Sequence, residues 1–126
     1  MSQIADYYSP SAKATFYHGD RLDLLKQIPK GSARLIVTSP PYNIGKEYEQ
    51  RHSLEEYLEG QRATINACYE ILAENGSLCW EVGNHILGPS EILPLDIPIY
   101  QICSDLGMNC DIDLENGEIL LVHIII

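Results

Sequence analysis

The residues whose types and spacing could do chemistry are Ser39, Pro40, Pro41, Tyr42 and Asn43, a contiguous run that follows the apolar stretch Arg34-Leu35-Ile36-Val37-Thr38. Two successive prolines remove two backbone N–H donors and keep both carbonyls, so the run forms a rigid array of acceptors beside an aromatic ring. An amine suits such an array. The exocyclic amino group of a nucleobase can donate to the Ser39 hydroxyl and to the Ser39 or Pro40 carbonyl while Tyr42 stacks on the ring, which is how a base taken out of its helix is held. Taken alone, the same string also fits a turn or a polyproline ligand. Its place at the end of an apolar strand is what separates the readings.

The elements that must position this loop follow from periodicity. Residues 14–18 are β-prone and stop at Gly19-Asp20; Leu22, Leu24, Leu25 and Ile28 then mark an apolar helix face that Pro29-Lys30-Gly31 closes. Asp20 is placed to cap that helix. Residues 34–38 read as a strand buried on both faces of a parallel sheet. Ser53, with Glu56 three residues on, forms a capping-box pattern. Leu54, Tyr57, Leu58, Gln61, Ile65, Cys68, Ile71 and Leu72 continue at helical spacing, with Asn75-Gly76 as the expected stop. Residues 77–82 form a third strand that empties into Gly83-Asn84-His85, and Pro94 and Pro98 hold the next helix to residues 96–106, ended by Gly107. This β-α-β-α-β-α order predicts an α/β fold, a partial doubly wound parallel sheet. Ligands then bind beyond the carboxyl ends of the strands, at Gly19-Asp20-Arg21, at residues 39–43 and at Gly83-Asn84-His85. From Asn109 the pattern changes, and Asn116-Gly117 between two short apolar runs predicts an irregular or hairpin tail.

Composition narrows the function classes. A chain of 126 residues, 45% hydrophobic and 21% charged, suits one small globular domain rather than a disordered or membrane-embedded segment. With 18 acidic against 8 basic residues, the net charge of -10 excludes a stand-alone, nonspecific nucleic-acid binder held by phosphate contacts. Cys68, Cys79, Cys103 and Cys110 include no C-x-x-C pair, so no metal site is expected and a reducing cytoplasm fits. No secretory signal leads the chain, and the apolar run 120–126 is far below the ~20 residues of a membrane span. Cys79 and Trp80 read as core. Glu47, Glu49, Glu55, Glu56 and Glu59 read as a solvated face, and His18, His52 and His123 as structural or surface residues.

The run Ser39-Pro40-Pro41-Tyr42-Asn43, its preceding strand and the Gly19-Asp20 strand end resemble the site-specific DNA amino-methyltransferases that modify N6 of adenine or N4 of cytosine. The resemblance extends from about Phe16 to Met108 and includes Glu74-Asn75-Gly76-Ser77-Leu78-Cys79-Trp80. It implies a Rossmann-like methyltransferase of restriction-modification type using S-adenosylmethionine, with DNA as partner and the target base flipped out. Ser39 and the Ser39 and Pro40 carbonyls would orient the amine, Pro40 and Pro41 would fix the loop, and Tyr42 with Asn43 would hold the base. Asp20 and the Arg21 backbone amide would touch the cofactor's adenine. Methyl transfer would be direct, with no covalent enzyme intermediate, so no Cys or His nucleophile is required. Serine at position 39, where other members carry aspartate, leaves the target base open.

One part of the family pattern is missing. The nine glycines are all isolated, and no Gly-x-Gly turn follows a strand. The expectation is therefore the N-terminal portion of such an enzyme, residues 1–108, with an atypical tail at 109–126, inactive alone. Two other readings stand beside it: a subunit or binding module of a split methyltransferase, and an unrelated small α/β ligand-binding domain.

Overall fold

The computed structural model describes residues 4–40, 53–113 and 121–125. Two short strands, β1 (Ile4–Ala5) and β2 (Ala14–Thr15), lead to helix α1 (Arg21–Gln27) and strand β3 (Ala33–Thr38). Helix α2 (Leu54–Ile71) runs directly into β4 (Leu72–Glu81), followed by the strands β5 (Asn84–Gly88) and β6 (Glu91–Pro94). Helix α3 (Asp96–Asp105) and the strands β7 (Asn109–Asp113) and β8 (Leu121–Ile125) complete the order. The main sheet is β3-β4-β8-β7. Its β3-β4 pair is parallel, whereas β8 runs antiparallel to both β4 and β7.

Local chemistry accounts for the helices. The Ser53 hydroxyl accepts from the Glu56 N–H at 3.2 Å while the Glu56 carboxylate accepts from the Ser53 N–H at 3.3 Å, so the capping box starts α2 where the sequence places it. Tyr57, Gln61, Thr64, Ile65, Cys68 and Ile71 form its buried stripe. In α3, Pro98 lies in the first turn, where a missing N–H breaks no helical bond, and Gly107 follows the helix at φ +82°. Gly31, at φ +70°, makes the turn after α1, and its N–H donates to the Glu70 carbonyl at 3.1 Å.

All three helices feed one core. Ile65 and Cys68 from α2 and Ile99, Ile102 and Cys103 from α3 pack with Leu78, Trp80 and Val82, and Leu25 and Ile36 pack against this cluster from α1 and β3. Burial on β4 alternates, with Leu78 and Trp80 inside and Ser77 and Cys79 half-buried.

The structure corrects several expectations. First, strand 14–18 shrinks to β2, which pairs in parallel with β1 and not with the main sheet. Second, β3 is not buried on both faces: Leu35 is 62% and Val37 68% exposed, because β3 is an edge strand whose helices cover only the Ile36 side. Third, α2 stops at Ile71 rather than at Asn75-Gly76. The β3-β4 register jumps from Ala33↔Leu72 to Leu35↔Ser77, and a Cβ on Gly76 would lie 2.8 Å from the Ala33 carbonyl oxygen. Gly76 therefore serves a close backbone approach between strands. Fourth, Gly83-Asn84-His85 is no open loop, since Asn84 and His85 begin β5, which pairs with β6 around Pro89-Ser90. The tail is a hairpin, but an integrated one, with β8 inserted between β4 and β7. The sheet is consequently mixed rather than all-parallel.

Candidate active site

Strand β3 delivers the candidate loop. Thr38, its last residue, pairs with Trp80 near the end of β4, and Ser39 and Pro40 emerge at the carboxyl end of the parallel pair. That is the edge at which open α/β sheets bind ligands. Ser39 is exposed and Pro40 half-buried; Pro41, Tyr42 and Asn43 lie outside the described residues. Trp80 is buried at 1% exposure and belongs to the core, as its sequence context suggests. Its indole Nε1 and the Gln61 side-chain oxygen on α2 are buried without a hydrogen-bond partner among the described residues. Each such desolvated polar atom costs about 1–3 kcal/mol.

Asp20 and Arg21 are set by different elements. The Asp20 carboxylate accepts from the Leu22 N–H at 2.8 Å and caps α1, so its structural role is realised in full. The Arg21 backbone N–H is one of the first-turn donors that a helix leaves without an internal partner. The Arg21 side chain turns to α2, where its Nε donates to the Thr64 hydroxyl at 2.8 Å, and Thr64 in turn donates to the Gly60 carbonyl at 3.0 Å. This bond and the Gly31–Glu70 bond hold α1 against α2. Thr64 is the positioning residue that motif reading missed. Its signal is the helical spacing it shares with Gln61, Ile65 and Cys68 on the buried stripe.

Burial pushes the Cys68 thiol up to about 11, against a smaller lowering by the nearby Arg21 charge, so it stays protonated at neutral pH. Among the described residues no group of three or more His, Cys, Asp or Glu is placed to hold a metal ion, and no helix is long and apolar enough to cross a membrane. A cavity of about 500 Å³ is lined by Ile4, Ala5, Asp6, Tyr7 and Phe16 and shares no residue with the candidate site.

A family model described as DNA methylase, of the N6/N4 class, matches residues 33–125, a span that includes Ser39 to Asn43 and excludes Asp20 and Arg21. The chain is 44% identical over 92 residues to the type II methyltransferase M.BglII of Bacillus subtilis, covering 73% of this chain and 26% of that protein. It is 37% identical over 91 residues to M.ScaI of Streptomyces caespitosus, covering 72% of this chain and 30% of that protein. A solved DNA modification methylase from Thermus thermophilus, complexed with S-adenosyl-L-methionine, superposes with a TM-score of 0.67 at 20% identity, over 85% of this chain and 51% of that one. That last likeness concerns the fold. The chain spans less than a third of the length of these two relatives and about half of the solved neighbour.

Proposed function

The chain belongs to the N6/N4 DNA methylase family, and from that premise we propose that it supplies the base-holding part of an enzyme of restriction-modification type that methylates an exocyclic amine in DNA, N6 of adenine or N4 of cytosine. Membership removes the alternative of an unrelated α/β ligand-binding domain. The observation that carries the proposal is the position of Ser39-Pro40 at the carboxyl end of β3, beside the parallel β4 and inside the family match.

In this reading the partial Rossmann-like sheet is a platform for acceptors. The Ser39 hydroxyl and the Ser39 and Pro40 carbonyls accept hydrogens of the target amine, so that its nitrogen lone pair is aimed away from the loop and at the methyl donor. Pro40 and Pro41 restrict the loop's backbone, and Tyr42, with Asn43 beside it, stacks on and holds the flipped base. S-adenosylmethionine, when bound, supplies an electrophilic methyl group on its sulfonium. The same oxygens would stabilise the positive charge that develops on the amine when the methyl group's bond to the sulfonium breaks, leaving a neutral thioether, and would do so until the amine's extra proton leaves to water.

The residues present fit that cofactor at one end. The Asp20 carboxylate and the Arg21 backbone amide lie at an exposed helix start and suit the polar edge of an adenine. No Gly-x-Gly turn occurs in the 126 residues to receive the methionine end. Methyl transfer therefore requires a complementing half, either further residues of the same protein or a second subunit, which also brings the basic surface that a net charge of -10 does not offer to DNA. The free thiols of Cys68, Cys79 and Cys103 suit a reducing cytoplasm.

The test is transfer of a tritiated methyl group from S-adenosylmethionine to DNA by this chain co-expressed with the complementing part of M.BglII, followed by nucleoside analysis. Methyl transfer that the Tyr42→Ala variant abolishes supports the reading. Transfer unaffected by that variant removes Tyr42 from its role.

A further inference from the structure

The cleft formed by β1 and the end of β2 takes no part in the site described above. It has a volume of about 500 Å³, is lined by Ile4, Ala5, Asp6, Tyr7 and Phe16, and shares no residue with Ser39 and Pro40 or with Asp20 and Arg21. That volume lies within the ~300–1,000 Å³ of small-molecule clefts. Its backbone is pinned at three points. The parallel register Ala5↔Thr15 continues in a bond from the Phe16 N–H to the Ala5 carbonyl at 2.8 Å, which sets Phe16 beside Asp6. The Tyr8 N–H donates to the Gln27 side-chain oxygen on α1 at 3.1 Å, and the Thr15 hydroxyl donates to the Tyr7 carbonyl at 3.4 Å.

Two kinds of side chain are left for a ligand. Tyr7 is 63% and Phe16 72% exposed, so two aromatic rings line the cleft that the core does not use. The Asp6 carboxylate makes no hydrogen bond or ion pair among the described residues. Aromatic faces receive a flat ring by stacking, and any nucleobase can be held in that way. The carboxylate supplies the selection. An ionised carboxylate offers only acceptors, so it forms two bonds with a ring edge that presents two adjacent donors. Among the nucleobases guanine alone has such an edge, N1–H beside the N2 amino group. In adenine and cytosine the amino group sits next to a ring nitrogen acceptor, which repels the second carboxylate oxygen. The net charge of -10 sets the orientation, since a phosphate gains nothing from this chain and stays in water while the base enters the cleft.

We propose that this cleft is a guanine-binding site, in which Tyr7 and Phe16 stack on the base and the Asp6 carboxylate accepts from N1–H and the N2 amino group. The guanine belongs to a free nucleotide or to an unstacked residue of a DNA strand, and the chemistry that recognises it is the same. The site depends neither on methyl transfer nor on the complementing half.

The test titrates the full chain with GMP and with AMP and follows the ring protons of Phe16, the one phenylalanine in the sequence, by nuclear magnetic resonance. GMP is expected to shift them saturably, and AMP to bind at least about tenfold more weakly for want of the second donor. Asp6→Asn sets an amide donor against a donor edge and should remove the preference for GMP over AMP. Tyr7→Ala should weaken both nucleotides by about tenfold, the loss of one stacking face. Both positions are exposed, so both variants keep the wild-type melting temperature. A short single-stranded DNA with one guanine among thymines identifies the source: tighter binding of the strand than of GMP assigns the site to unstacked DNA, and weaker or equal binding assigns it to a free nucleotide, the guanine site standing in both cases. No saturable shift with GMP, equal binding of AMP, undiminished selectivity in Asp6→Asn, undiminished binding by Tyr7→Ala, or displacement of GMP by S-adenosylmethionine each overturns the proposal.

Discussion

The bond from Arg21 to Thr64 fixes the start of α1, and with it Asp20, onto α2, and its strength can be measured. The Nε–Oγ1 distance is 2.8 Å, Thr64 is 6% exposed, and Arg21 is exposed. A hydrogen bond to a charged group contributes about 1.5–3 kcal/mol when buried, and solvent at the guanidinium lowers that to about 1 kcal/mol. Thr64→Val keeps the branched shape and removes the acceptor; the lost bond to Gly60 is a local back-bond of little net worth. Arg21→Met keeps most of the stem and removes the donor. A double-mutant cycle by urea denaturation should therefore give a coupling of about 1 kcal/mol, equivalent to roughly 4 °C in Tm for a domain of this size. A second readout is the Cys68 thiol, whose pKa of about 11 the Arg21 charge holds down. Arg21→Met should raise it further and slow Cys68 alkylation at alkaline pH. A coupling below about 0.3 kcal/mol together with unchanged Cys68 reactivity would refute the clamp.

Two further predictions concern buried polar groups. Gln61→Met fills the same volume and removes an unpartnered buried oxygen, so it should stabilise the chain by about 1 kcal/mol in urea melts; a loss of stability would mean that the oxygen has a partner in solution. Burial raises the Asp96 carboxyl above its ordinary 3.8, against the N–H groups of Asp96 and Ile97, which lower it. The charged form is thus disfavoured by folding, and stability present at low pH is lost as pH rises through the folded pKa. Asp96→Asn should melt higher than the wild type at neutral pH, with the advantage vanishing as the solution is acidified below the ordinary Asp range. An advantage that does not depend on pH would contradict this sign.

Local signals proved readable and long-range ones did not. The Ser53–Glu56 capping box and the buried stripe from Tyr57 to Ile71 are set within a few turns of chain, and α2 follows them. Gly107 and Pro98 bound α3 for the same reason. The apolar run through Leu35, Ile36 and Val37 correctly announces a strand, but how many faces are covered depends on what lies beside it, which no window of sequence contains. Asn75-Gly76 has the look of a helix stop, yet Gly76 is there for the Ala33 carbonyl on a neighbouring strand. Gly83-Asn84-His85 reads as a loop because the turn that makes it half of a hairpin, Pro89-Ser90, comes later. Of the candidate site, Ser39 and Pro40 are where strand order places them, and Asp20 is the cap its type suggests. Pro41, Tyr42 and Asn43 lie outside the described residues. The Arg21–Thr64 bond joins residues 43 positions apart and had no motif to announce it.

The central claim is that Ser39, Pro40, Pro41 and Tyr42 hold a target base for methylation once the complementing half is present. Tritium transfer to DNA measured on this chain alone, on the co-expressed pair, and on the pair carrying Tyr42→Ala tests it most directly. Labelled N6-methyladenine or N4-methylcytosine is expected from the pair, and none above background from the chain alone or the Tyr42→Ala pair. Label incorporated by the chain alone, or equally by both pairs, would contradict the claim.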